Sequence, residues 1–273
     1  MIKCGEWHIG VCTWSLGNDF DKIDFLREQT GLNHIHLAVL PALGDDGDKY
    51  LSKVKTGGWN ITAAMINFPQ EDYSTLESIR ITGGIVPDGD WAQNRKMVFD
   101  SIDVTAELGV KYLSLHFGFI DPENPDNVKK LCDRAKTLAD RAARKNIQLL
   151  LETGQEKADK LREFLEELDH PAIGVNFDPA NMILYDKGDP IKAVQTLAGW
   201  IKHVHIKDAV RTKVPGTWGA DVVWGTGQTG DAKFLKTLEK INFAGALAVE
   251  REAGDDRLGD VKIAVDKLKG FKL

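Results

Sequence analysis

Four side chains able to hold a hard metal ion, Glu152, Asp178, His205 and Glu250, each stand near the end of a short apolar run: NIQLLLET, AIGVNFDPA, HVHIKD and GALAVERE. Three carboxylates and one imidazole make an oxygen-rich donor set suited to one divalent ion. Mn²⁺ fits best, with Mg²⁺, Co²⁺ and Zn²⁺ as alternatives, and coordination positions remain for a substrate. A step of 26 residues separates Glu152 from Asp178 and one of 27 separates Asp178 from His205. Each step is close to one strand-plus-helix repeat, so the groups can reach equal heights on neighbouring parallel strands. Any one acidic strand end could instead cap a helix or solubilise a loop. All four together point to an enzyme.

Such a set needs a frame that delivers side chains from several strand ends. Apolar, β-branched runs alternate along the chain with helix-patterned segments, which is the pattern of βα units around a parallel sheet. Strands are predicted near residues 9–14, 34–40, 60–67, 112–117, 147–153, 173–178, 203–207 and 246–250. Between them, residues 90–108 and 127–145 carry apolar side chains every three or four positions, as outer helices do. Eight units predict an α/β fold, a closed (β/α)8 TIM barrel, with the whole chain, 1–273, forming one domain. A doubly wound open sheet would gather its ligands at one switch point, whereas these polar termini are spread over many strands. The longest irregular stretches, 67–90 and 208–229, both follow strands and should lie on the catalytic face.

The chain has 273 residues, 42% hydrophobic and 28% charged, with a formal net charge of −6. That balance gives no basic face for nucleic acid and suits a small polar substrate. Cys4, Cys12 and Cys132 form no C-x-x-C pair and are odd in number, so free thiols in a reducing cytoplasm are expected. The opening MIKCGEWHIG lacks the apolar core of a signal peptide, and no later run is long enough to span a bilayer. No membrane partner is expected, and the amphipathic outer helices leave homo-oligomerisation open.

The motifs LLLET, GVNFDPAN, HVHIKD and AVERE, with the segment FPQEDYSTLESIRITGGIVPD, resemble the sugar-phosphate isomerase/epimerase group of the xylose-isomerase-like barrel superfamily over nearly the whole chain. In its ketose 3-epimerases a Glu, Asp, His, Glu set binds the metal and the two glutamates exchange protons with substrate. The resemblance implies these roles for Glu152, Asp178, His205 and Glu250, with Glu152 and Glu250 catalytic. The implied activity is isomerisation or epimerisation of a keto-sugar or sugar phosphate, by proton transfer through a metal-stabilised enediolate. The same first step serves a lyase or hydratase acting on 3-keto-glycosides. A non-catalytic sugar-binding barrel and an apurinic-endonuclease-like enzyme are further alternatives. The last is disfavoured because Asn181 stands where related enzymes carry a His, and residues 65–68 offer no histidine.

Other residues near the strand ends are candidate substrate contacts. His116 closes YLSLHFG, and Asn181 offers an amide to a hydroxyl. Arg211 lies where the ketose epimerases place a substrate-binding Arg, and Trp14 offers a flat wall for the carbon face of a sugar. Lys207 and Asp208 are expected to pair and shape the pocket floor. His203 is read as structural, and His34 and His36 as satisfied core histidines or pocket groups. Turn geometry explains the glycines of WGTGQTGD better than phosphate binding does.

Overall fold

The computed structural model describes residues 2–272. Eight parallel strands close on themselves. They are β1 (Trp7–Cys12), β2 (His34–Ala38), β3 (Asn60–Ile66), β4 (Tyr112–Leu115), β5 (Gln148–Glu152), β6 (Ile173–Phe177), β7 (Ile201–Ile206) and β8 (Ala246–Val249). β8 pairs with β1, and each strand pairs with its successor, so the sheet has no open edge in the barrel. A short antiparallel strand, Lys3–Cys4, folds back on β1 at the start of the chain.

Strand parity explains why the elements form and what they present. Ile9 and Val11, Ile35 and Leu37, Leu113 and Leu115, Val204 and Ile206, and Leu247 and Val249 join the apolar core beneath the outer helices. Their alternates are absent from that core: Gly10 and Cys12, His34 and His36, Ser114, Asn176, His203 and His205. Because successive side chains point to opposite faces, these small and polar residues fill the barrel interior.

Among the flanking helices, Trp91–Glu107 and Pro125–Ala143 lie close to their predicted positions. Each βα repeat returns the chain to the same end of the barrel, so all strand termini open toward one face. The two stretches expected to be irregular hold structure of their own. The first contains a helix, Leu76–Thr82, capped by Thr75 and Ser78 in a reciprocal box. The second contains an antiparallel ribbon, Asp208–Val210 with Ala220–Val222. Short polar elements inside loops carry too little apolar periodicity to be seen in sequence. No helix of the described residues is long and apolar enough to cross a membrane.

Candidate metal centre and active site

Glu152 and His205 lie on β5 and β7, Glu250 stands one residue beyond β8, and Asp178 stands one residue beyond β6 as the N-cap of a six-residue helix, Pro179–Leu184. One oxygen of Asp178 accepts the Ala180 and Asn181 amides, at 2.8 and 3.0 Å. Its other oxygen, Oδ2, is buried without a hydrogen-bond partner. Thr153 holds the Asp178 backbone in place, with Oγ1 accepting the Asp178 N–H at 2.8 Å and donating to the Asp178 carbonyl at 3.0 Å. LLLET and DPAN are therefore one structural unit.

Ligand atoms of Glu152, Asp178, His205 and Glu250 lie within 4.8 Å of one another, all on buried residues. His205 Nδ1 faces Glu152 Oε1 at 3.2 Å, Glu250 Oε2 at 3.4 Å and Asp178 Oδ2 at 3.6 Å. His205 Nδ1, Asp178 Oδ2 and Glu250 Oε2 all lack a well-formed hydrogen bond. Buried polar atoms are rarely left so, and a cluster of three aimed at one point fits a divalent cation. Three carboxylates with one imidazole suit Mn²⁺ or Mg²⁺ better than a thiolate-seeking ion.

Neighbouring groups fix these side chains. Trp14 Nε1 donates to Glu250 Oε1 at 2.6 Å, and Lys207 Nζ lies 2.8 Å from Glu250 Oε2. Asn181 Nδ2 donates to Glu152 Oε1 at 3.2 Å, and His116 Nε2 stands 3.0 Å from Glu152 Oε2. Burial opposes charge on Glu152, yet His116 and His205 outweigh it and hold its pKa well below the usual carboxylate range. Burial likewise opposes the Lys207 charge, but Glu250, Glu252 and Asp178 raise its pKa well above normal, so it remains an ammonium.

Behind His205 a chain of hydrogen bonds runs across the barrel. His36 Nε2 lies 3.1 Å from the Ala64 carbonyl, which can only accept, so this nitrogen carries hydrogen. Burial lowers the His36 pKa to about 3 and keeps the ring neutral, leaving Nδ1 as an acceptor. His36 Nδ1 is 3.0 Å from His205 Nε2, which must then be the donor. Burial opposes charge on His205, yet the surrounding acidic groups raise its pKa well above normal, so without an ion Nδ1 also carries hydrogen toward the carboxylates; an ion bound there would displace that proton, with Nε2–H still held by His36. The Asn176 amide bridges the two rings of β7, with Nδ2 3.0 Å from His205 Nε2 and Oδ1 2.9 Å from His203 Nδ1. A half-turn of that amide presents its oxygen to the His205 N–H and matches every donor to an acceptor.

A family model described as "Xylose isomerase-like TIM barrel" matches residues 19–271. The chain belongs to the xylose isomerase-like TIM barrel family. A xylose isomerase domain protein from Planctomyces limnophilus is 30% identical, with a TM-score of 0.88 and 97% of each chain covered. A xylose isomerase-like TIM barrel protein from Mycobacterium smegmatis, in complex with magnesium, is 18% identical with a TM-score of 0.73, covering 98% of this chain and 97% of that one. The 3-keto-D-glucoside 4-epimerase from E. coli is 16% identical with a TM-score of 0.71, covering 96% and 98%. Sugar epimerases recur among the matching structures. No curated protein matches the chain by sequence.

In this xylose isomerase-like barrel the structure gathers His116, Asn181, Lys207 and Trp14 around the cluster, and does not gather Arg211. The Arg211 guanidinium is engaged by Asp186 and by the Gly188 carbonyl, tying the loop after β7 to the end of the Pro179–Leu184 helix. The expected Lys207–Asp208 pair is absent, since neighbours in an extended segment point to opposite sides. Lys207 turns to Glu250 and Glu252. Asp208 turns outward and accepts the amides of Gly225, Gly227 and Thr229 at 2.8–2.9 Å. The WGTGQTGD loop thus wraps an internal carboxylate. A Cβ on Gly227 would fall 2.4 Å from Asp208 Oδ1, which explains that glycine. His203 lies deeper, bonded to Asn176 and Thr62, and His34 stacks on His8 with ring centroids 4.4 Å apart.

Sequence reasoning did not single out Glu71, Tyr73, Asn176, Tyr185 or Glu156. Tyr73 contacts His116 through its hydroxyl, and its carbonyl accepts from Trp218 Nε1 at 3.1 Å, linking the two long loops. Trp218 meets Tyr185 edge-on at 4.8 Å. For Asn176 the parity of GVNFD was a usable signal, because Asn176 shares a face with Asp178 one turn of the pleat away.

Glu156 is buried and accepts the Ile120 N–H at 3.0 Å. Burial raises its pKa from 4.5 to about 7, with the Ile120 amide and Lys187 pulling the other way. A carboxyl with a raised folded-state pKa contributes stability that is fully present below its unfolded pKa and is lost as pH rises through its folded value. Urea unfolding midpoints should therefore fall between pH 4.5 and about 7. Glu156→Gln should remove that slope, and a slope shared by both proteins would show that another group causes it.

Proposed function

We propose that this chain is a divalent-metal-dependent isomerase or epimerase of a keto-sugar or sugar phosphate. The observation that carries the reading is the convergence of four ligand atoms within 4.8 Å on buried residues, with Asp178 Oδ2 buried and unbonded among them. Glu152, Asp178, His205 and Glu250 would hold the ion, with Mn²⁺ the best match to the donors. Bound there, it would stabilise negative charge developing on the carbonyl and neighbouring hydroxyl oxygens of the substrate.

The protein's own groups do the rest. Glu152, favoured as a carboxylate by His116, would accept a proton from the carbon beside the carbonyl. Glu250 approaches from β8, three strands round the barrel from Glu152 on β5, so a proton returned from it would reach the other face and invert the centre. Trp14 and Lys207 hold Glu250 in position, while Asn181 and His116 position Glu152 and offer donors to substrate hydroxyls.

The test is incubation of Mn²⁺-loaded protein in heavy water with free ketoses, ketose phosphates and 3-keto-glycosides. Deuterium is expected at the carbon beside the carbonyl of at least one substrate. A panel with no incorporation sinks proton-transfer chemistry. Release of an aglycone in place of an epimer would assign the elimination that shares this first step.

A further inference from the structure

A second recess opens on the same face as the metal centre. It has a volume of about 280 Å³ and is walled by five different βα loops, with Ile79, Arg80, Phe119, Gln155, Tyr185 and Lys187 among its lining residues. Its composition is unusual for a surface dent. Gln155 is only 7% exposed, and although it lies beside the Tyr185 hydroxyl, neither of its amide atoms makes a well-formed hydrogen bond. The amide faces the Tyr185 hydroxyl and keeps donor and acceptor capacity to spare, which a vicinal hydroxyl pair, offering both functions, would match.

Phe119 supplies an aromatic face, with the Lys187 ammonium 5.1 Å and the Arg80 guanidinium 5.9 Å from its ring centre. Burial lowers the Lys187 pKa, and this lysine forms no close ion pair among the described residues. Arg80 is held by both oxygens of Glu77, at 2.6 and 2.8 Å. The recess therefore combines apolar walls, one aromatic face and polar groups of mixed sign, which suits a hydroxylated ring better than a dianion.

The recess adjoins the metal centre through shared residues. Tyr185 lines it, and the charges of His116, Glu152 and Lys207 act on the Tyr185 hydroxyl. Gly154 packs against both Asn181 and Tyr185, where a Cβ would fall 2.5 Å from Asn181 Cβ and 3.1 Å from the Tyr185 ring. We infer that this recess is a subsite for a second ring of the substrate, so that the enzyme acts on a glycoside whose keto-sugar unit sits at the metal and whose other ring lies against Phe119. This rests on the sugar reading above and narrows its substrate class.

Titration calorimetry of the Mn²⁺-loaded protein with glucose, cellobiose, lactose and glucose 6-phosphate tests it. One of the disaccharides should bind roughly tenfold tighter than glucose, the gain of a well-seated ring contact. Phe119→Ala and Gln155→Leu should each erase that gain and leave Mn²⁺ and glucose affinities unchanged, which also shows that the variants are folded. Glucose binding with no gain for either disaccharide, or a gain only for glucose 6-phosphate, overturns the second-ring subsite and leaves the sugar reading standing. Retained Mn²⁺ binding with no sugar bound overturns the second-ring subsite, while the heavy-water panel of keto-sugars decides the sugar reading.

Discussion

Replacing Glu152 or Glu250 by Gln is expected to lower kcat about 10³-fold with Mn²⁺ saturating, within the range for loss of a positioned acid or base. Glutamine preserves size and one acceptor oxygen, but it cannot take up or release the transferred proton. The two variants should differ in isotope behaviour. Where the abstracting carboxylate is lost, solvent deuterium no longer enters the substrate. Where the protonating group is lost, the remaining glutamate can return deuterium to the same face, giving exchange without inversion. Mn²⁺ occupancy, followed by electron paramagnetic resonance, separates this from weakened binding, because both glutamates also belong to the ligand cluster. A fully loaded variant within about tenfold of the parent kcat would remove that glutamate from proton transfer.

The second large effect is expected at a residue that touches no substrate. His36→Leu should weaken Mn²⁺ binding about 10- to 100-fold, as loss of a partner that orients a metal-ligating histidine does. The Ala64 carbonyl fixes hydrogen on His36 Nε2, and His36 Nδ1 then requires the His205 hydrogen on Nε2, freeing Nδ1 for the ion. Leucine fills the space but accepts nothing, so the His205 ring loses this partner. His36→Gln restores an acceptor and a donor on one side chain and should recover much of the affinity. If the leucine and glutamine variants bind Mn²⁺ equally, His36 acts only through packing.

Much of this protein was legible from its residues. The eight barrel strands fall at the predicted places, usually one or two residues shorter, because the last polar residue of each run leaves the ladder to enter a loop or cap. Asp178 shows the reason: it ends an apolar run but serves as an N-cap, a role its following Pro179 favours. The four candidate ligands were visible because an apolar run ending in a metal-competent group is a local pattern repeated at the βα period.

Residues 67–90 and 208–229 were harder to read, since their helix and ribbon are held by capping side chains, and the Asp208 carboxylate draws the glycine-rich amides inward. Arg211 illustrates the same limit. Its spacing from His205 is a property of the chain, but the partner its guanidinium reaches depends on where Asp186 and Gly188 lie in space.

The sequence by itself determined the barrel and marked the four strand-end candidate ligands, because strand period and βα spacing are local and each run declares its own inner face. Only the tertiary structure decided how those ligands are presented. The free oxygen of Asp178, the tautomer of His205 and the recess beside Gln155 each arise where side chains from different strands and loops meet, and those meetings exist only once the sheet has closed.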